Sequence, residues 1–326
     1  MLSRLKKQAL AQGAFFAGLM TAIGLLGVYI PPLFFLTNLL VPLPLAVLVR
    51  QQDLKTGLFA LTLFAALLFL FLGPGLDVLI LVLQTVPLAL VLGLLFKNHA
   101  SAGVSVFLSS LTLTVFTLLG LTISMWVTGN NLFVPGEEMK QAMEQAADWY
   151  ARAGLTRELS RTETEQIFAE TARFVSQLIP AHLVTWSIIS AFLTYLLTRK
   201  VLRKLSYAVT PLPPFAQWQF PWYFSWGLIA GLGLTLAGDW LTLFPVAVLG
   251  KNVLCVSGFL YLIAGISVCS FYLAKWKIPG LVKLIVAGST VFYLPFAIIL
   301  LAVLGIMDTF VNLRRFSALD EAGKRK

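Results

Sequence analysis

The chain has 326 residues, 59% of them apolar and only 12% charged, and its mean hydropathy is +0.88. Soluble domains carry about 25% charged residues, so an ordinary soluble enzyme is excluded, and the apolar content excludes a disordered chain. The net charge of +10 is no nucleic-acid signature either. Residues 128–178 hold eight acids and five bases, while most other bases lie in short connections between apolar runs, the pattern of cytoplasmic loops in membrane proteins.

A membrane-spanning helix needs about 20 mostly apolar residues. In chain order the candidate spans are 13–30, 33–49, 56–72, 77–96, 101–127, 180–198, 222–243, 252–274 and 281–307. The expected fold is all-α: a polytopic transmembrane helix bundle with 8–9 membrane segments and an amphipathic helical external loop over 128–178. Arg4-Leu5-Lys6-Lys7 precedes the first run, with no small-x-small cleavage pattern at the expected distance, so it reads as a signal anchor.

Basic residues orient the chain. An N-terminus inside puts Arg50, Lys55, Lys97 and the Arg199–Lys204 cluster inside and the acidic loop outside. The last three runs conflict in parity. Lys275, Lys277 and Lys283 fall inside, yet nine crossings would send the tail with Arg314, Arg315, Lys324, Arg325 and Lys326 outside. A cytoplasmic tail with an even number of crossings is the favoured solution.

Within the loop, Met139, Ala142, Met143, Ala146, Tyr150 and Ala153 recur at helical spacing and end at Gly154. Thr162-Glu163-Thr164-Glu165 resembles a capping box opening a second helix, whose apolar stripe is Ile167, Phe174, Val175 and Leu178. The pair reads as an interfacial amphipathic hairpin or as a lid over an outward-facing site. Cys255 and Cys269 are fourteen residues apart, about 21 Å along a helix, too far to bond, and read as small core residues.

Catalytic patterns are missing from the sequence. There is no His-Glu-x-x-His, Gly-x-Ser-x-Gly or Walker motif and no paired-carboxylate pattern, so the chain reads as a non-enzyme without a cofactor or metal, and any ATP use requires a partner. His182 lies four residues from Trp186, where stacking or a backbone hydrogen bond satisfies it; its alternative is a ligand or proton carrier. The first helix carries two parallel small-residue rows, Ala14/Gly18/Ala22 and Gly13/Ala17/Thr21, and Gly227/Gly231 repeat the device later. Such rows let a neighbouring helix approach closely. For the first helix a second subunit and internal packing are both open; Gly227/Gly231 read as internal packing.

Asn38, Gln84, Asn252 and Asp239 stand out within apolar runs, with a hydroxyl stripe of Ser105, Ser109 and Thr112. Each is interhelical glue or part of a cavity. Pro31-Pro32, Pro42-x-Pro44 and Pro87 are expected to interrupt helices, as binding-site helices of transporters are interrupted. As a set, Asn38, Gln84, Ser105, Ser109, Thr112 and His182, with the aromatics Tyr29, Phe34 and Phe35, are the candidate lining for a small, largely apolar ligand.

The Ala14-x-x-x-Gly18-x-x-x-Ala22 helix, the segment Leu43-Pro44-Leu45-Ala46 and Gly57 opening the third run resemble the S components of energy-coupling-factor vitamin transporters. The closer resemblance is to the YybS-like family of bacterial membrane proteins of unknown function. It extends to Pro213-Pro214-Phe215-Ala216-Gln217-Trp218-Gln219-Phe220-Pro221 and to Gly305-Ile306-Met307-Asp308 leading into Asn312-Leu313-Arg314-Arg315. The resemblance implies a multi-pass bacterial inner-membrane protein whose residues 1–204 form a six-helix substrate-binding core including the loop. Additional helices would follow over 205–307, then a basic tail over 308–326. It also implies Ala14, Gly18 and Ala22 as the docking row for a transmembrane coupling subunit, with an ATPase as further partner. Gly18 departs from the all-alanine row while keeping its small size. The rival expectation is a non-transporting scaffold of an envelope assembly.

Overall fold

In hydrocarbon each backbone N–H and C=O must find its partner within its own segment, so long apolar runs become helices. The computed structural model describes residues 2–129, 136–152, 161–275, 279–280, 285, 288 and 292–314, and among them there is no strand. Among the described residues, eight helical stretches are long and apolar enough to cross a membrane. The chain divides into two compact units, Met1–Asn131 with Leu183–Leu212, and Leu132–His182 with Pro213–Lys326.

The first unit contains α1 (Leu2–Tyr29), α2 (Phe34–Leu40), α3 (Pro42–Gln51), α4 (Leu54–Leu72), α5 (Leu76–Lys97), α6 (Ala102–Thr128) and most of α9 (Ile179–Lys204). Local chemistry marks the ends. Asp53 caps α4 by accepting from the Thr56 N–H at 2.9 Å and its hydroxyl at 2.6 Å, and Gly129 closes α6 in the left-handed conformation. Pro42 and Pro44 sit in the first turn of α3, where a missing N–H costs nothing. Pro87, expected to interrupt, lies inside a continuous α5; a single proline is tolerated in a membrane helix whose neighbours re-satisfy the freed groups.

One core cluster joins Ala17 and Met20 of α1 to Leu45 and Leu48 of α3 and Phe64 and Leu68 of α4. A second joins Ala46, Leu92, Phe96, Tyr195 and Leu202, with Phe96 and Tyr195 stacked at 5.2 Å. Close approach is needed between α3 and α5, where a Cβ on Gly93 would stand 2.7 Å from Val49.

The second unit holds the hairpin α7 (Glu137–Arg152) and α8 (Arg161–Gln177), then α10 (Ser225–Trp240), α11 (Phe244–Lys275) and α12 (Leu294–Val311). Helix α8 already includes Arg161, so Thr162 is its second residue and not its cap. Ala147 and Ala172 are buried, and Tyr150 packs edge-on to Phe168 at 5.6 Å. Ile167, Phe174 and Val175 of the apolar stripe are exposed. Ala153, Gly154 and the Met139 side chain lie outside the described residues.

The seventh expected span, 222–243, is shorter than the sequence implies. Trp222–Phe224 is a 3-10 turn and α10 has 16 residues, about 24 Å against a hydrocarbon core of about 30 Å. Helix α10 folds back on α11, where Gly238 meets the Ala247 backbone, Gly250 meets Thr235, and a Cβ on Gly231 would sit 2.9 Å from Leu254. That bears out internal packing for Gly231. The Tyr272 hydroxyl donates to the Leu313 carbonyl at 2.9 Å, so α11 and α12 end on the same side of this unit. Lys275 and Arg314 thus share one end of this unit. Lys277, Lys283 and the tail from Arg315 lie outside the described residues.

Candidate functional site

The structure separates the two small-residue rows of α1. Gly13, Ala17 and Thr21 are buried, and a Cβ on Gly13 would lie 3.0 Å from Phe59 of α4. Ala14, Gly18 and Ala22 are exposed, and nothing lies within 4 Å of a Cβ built on Gly18. Internal packing thus uses the first row and leaves the second free.

The six pocket candidates fare differently. Asn38 on α2 and Gln84 on α5 are half-buried. Ser105 and Ser109 on α6 are buried, the Ser109 hydroxyl without a hydrogen-bond partner. The Thr112 hydroxyl donates to the Leu108 carbonyl of its own helix at 2.7 Å. His182 is exposed and belongs to the second unit; its Nδ1 donates to the Leu178 carbonyl at 2.8 Å. Trp186 pairs with Phe35 at 4.5 Å instead of with His182. Tyr29, Phe34 and Phe35 are exposed. Helices α5, α6 and α9 meet at Leu88, Leu113 and Ala191, a buried apolar contact.

Asn252 is glue. Its Oδ1 accepts the Ala181 N–H and its Nδ2 donates to the Gln177 carbonyl, both at 2.8 Å. These are backbone groups at the one-residue break between α8 and α9, where Pro180 supplies no donor.

The most developed polar site lies in the second unit. The strap of residues 213–221 contains three prolines, forms only one 3-10 turn, and leaves carbonyls without helical donors. Arg314 supplies them. Its Nη1 donates to the Ala216 carbonyl, and its Nη2 to the Trp218 carbonyl at 2.8 Å and to Ser267 Oγ at 3.1 Å. The Ser267 hydroxyl in turn donates to the Phe215 carbonyl at 2.7 Å and lies 3.0 Å from that of Trp218. Asp308 lies 3.3 Å from the guanidinium, and Arg314 and Asp308 are 7% and 6% exposed. Asn312, in the left-handed conformation at φ 49°, ends α12 and turns the chain so that Arg314 points back. Gly265 and Gly305 allow the crossing, since a Cβ on either would overlap a backbone carbonyl, of Leu301 or Tyr261.

Beside this network is a cleft of about 270 Å³. Its walls are Phe220 from the strap, Tyr223 and Phe224 from the 3-10 turn, Gly227 of α10, and Ser257, Leu260 and Tyr261 of α11. None of the six pocket candidates lines it. The strap and the Asp308-to-Arg314 segment were each noticed in the sequence, but not as partners. Asp308, an acid directly after the last apolar run, is the available signal.

A buried ion pair, helices long enough to span and an uncharged cleft define a multi-pass helical membrane protein. Residues 18–309 match the family described as "Predicted membrane protein (DUF2232)", and the chain belongs to it. It is 25% identical over 315 residues to the "Uncharacterized protein YybS" of Bacillus subtilis (strain 168), covering 94% of this chain and 97% of that protein. No solved structure matches.

Proposed function

We propose that this chain is the small-molecule-binding subunit of a transporter energised by partner proteins, and not an enzyme. It sits in the bacterial inner membrane with its N-terminus cytoplasmic. The carrying observation is the free row Ala14/Gly18/Ala22 beside a parallel row already used for packing. Small residues facing lipid gain nothing there, whereas against another helix backbone they permit close van der Waals contact. The basic connections support the orientation. The absence of a Walker motif from the sequence assigns ATP hydrolysis to a partner.

Purification from native membranes tests this reading. A transmembrane coupling subunit and an ATPase are expected with the wild-type chain and not with Gly18→Leu, which meets no neighbour of its own. If neither partner co-purifies with wild type, or if Gly18→Leu retains both, the reading fails.

A scaffold role is the second reading, favoured by the exposed Trp149, Tyr150, Ile167 and Phe174 on the hairpin. Deleting residues 135–178 should then abolish partner recruitment while membrane insertion persists. Recruitment by the deleted chain would count against a scaffold.

A further inference from the structure

We propose that the cleft formed by the Phe220–Phe224 turn, α10 and α11 binds a neutral, ring-bearing amphipathic molecule that hydrogen-bonds to Ser257. Four of the seven lining residues are aromatic: Phe220, Tyr223, Phe224 and Tyr261. Phe220 and Phe224 lie 5.1 Å apart, and Tyr223 stacks on Phe224 at 5.5 Å, which favours a flat ring between them and Leu260. No lining residue is charged, so an ionic occupant would lose its hydration without compensation.

The polar groups are specific in placement. Tyr261 Oη and Ser225 Oγ lie 3.2 Å apart and satisfy each other, which leaves the Ser257 hydroxyl for the occupant. Gly227 keeps that hydroxyl reachable, because a Cβ there would stand 2.7 Å from Ser257 Oγ. An acyl chain offers no hydrogen-bonding group along its length and would leave Ser257 unmet. Trp222 and Trp226 nearby are 65% and 59% exposed, as in the aromatic belt at a membrane interface, the depth at which ring-bearing amphipaths collect. The volume of about 270 Å³ is below the roughly 300–1,000 Å³ of drug-sized sites and suits one or two fused rings. The inference rests on the proposed function only in treating the occupant as cargo.

The full chain in phosphatidylcholine nanodiscs, with empty nanodiscs subtracted, is dialysed against three probes: 1-naphthol, naphthalene and 1-naphthalenesulfonate. One saturable site for 1-naphthol is expected, with naphthalene weaker by roughly 3- to 10-fold, the factor carried by one hydrogen bond, and the sulfonate unbound. Ser257→Ala should weaken 1-naphthol by that same factor and leave naphthalene unchanged. Gly227→Leu should abolish both, and Leu260→Trp fills the cleft from the opposite wall should Gly227→Leu fail to fold. Non-saturable uptake, sulfonate binding equal to 1-naphthol, indifference to Ser257→Ala, or equal binding in a folded blocking variant would each overturn the proposal. Displacement by dodecane at a matching affinity would also overturn it, by identifying an acyl-chain site. Partner capture is not involved, so failed capture with intact ring binding rejects the transporter reading alone.

Discussion

Replacing Arg314 by Leu removes the charge partner of a carboxylate that is 6% exposed and the donors of the Ala216 and Trp218 carbonyls. Stripping one member from a buried pair costs about 3–5 kcal/mol, because the remaining charge stays in a poorly polarisable site. For a unit of this size that corresponds to a melting decrease of about 6–20 °C. Cys255 and Cys269, the chain's two cysteines, are half-buried on α11. A thiol-reactive fluorogenic dye therefore reports the opening of this unit during a thermal ramp. The double variant Arg314→Leu/Asp308→Leu removes both charges and leaves the Ala216 carbonyl unmet, while the Trp218 carbonyl keeps the Ser267 hydroxyl at 3.0 Å, so it should lose less than Arg314→Leu alone, about 1–2 kcal/mol. Arg314→Lys should fall between, since one ammonium cannot fork to two carbonyls and a hydroxyl. A wild-type melting curve for Arg314→Leu, or a double variant less stable than the single, would refute the account.

Asn252→Leu should destabilise by about 1–3 kcal/mol, because the Gln177 carbonyl and Ala181 N–H lose their partner at the α8–α9 break; the same thermal ramp measures it. Gly265→Ala should be worse tolerated than Gly18→Ala, since its Cβ overlaps the Leu301 carbonyl whereas Gly18 has open space; yield of monodisperse protein after detergent extraction checks the ranking. The Asp53 carboxyl is held below the ordinary aspartate value by the Thr56 hydroxyl and then by the Thr56 N–H. A depressed folded value stabilises fully above the unfolded pKa and is lost as the pH falls through the folded one. Asp53→Ala should therefore melt below wild type at pH 7, and the gap should close in acid, below the folded value. A gap independent of pH would mean that the cap does not act through its charge.

The helices were legible because hydrocarbon forbids unsatisfied backbone, so α5 and α6 fall where apolar length alone puts them. Rotation about the axis was not. Both rows of α1 look alike in sequence, and packing against α3 and α4, with the Phe59 ring beside Gly13, decides which row turns inward. The roles of polar residues are hard to read from sequence for a related reason. A hydroxyl that bonds to the carbonyl four residues back, as Thr112 does, is indistinguishable in sequence from one lining a cavity. Asn252 looked like either, and became glue once the α8–α9 break supplied groups that needed it. Arg314 was read as a tail charge in water, since nothing local announces that carbonyls 98 and 96 residues away require its donors.

That long-range dependence explains why the two segments that carried the family resemblance have the form they do. A strap bearing Pro213, Pro214 and Pro221 meets its Pro213, Pro214 and Phe215 carbonyls from within but not those of Ala216 and Trp218, so it takes a donor brought from elsewhere, with several N–H groups in a fixed plane. Arginine is the side chain with that geometry, and it reaches the strap because Asn312 reverses the chain after α12. Asp308 then neutralises the charge at the buried end. Gly305 lets α12 approach α11 closely beside Tyr261. Tyr261 and the strap residue Phe220 are both walls of the cleft. The proline segment, the glycine, the acid and the arginine are thus parts of one structure, and the cleft derives its shape from it.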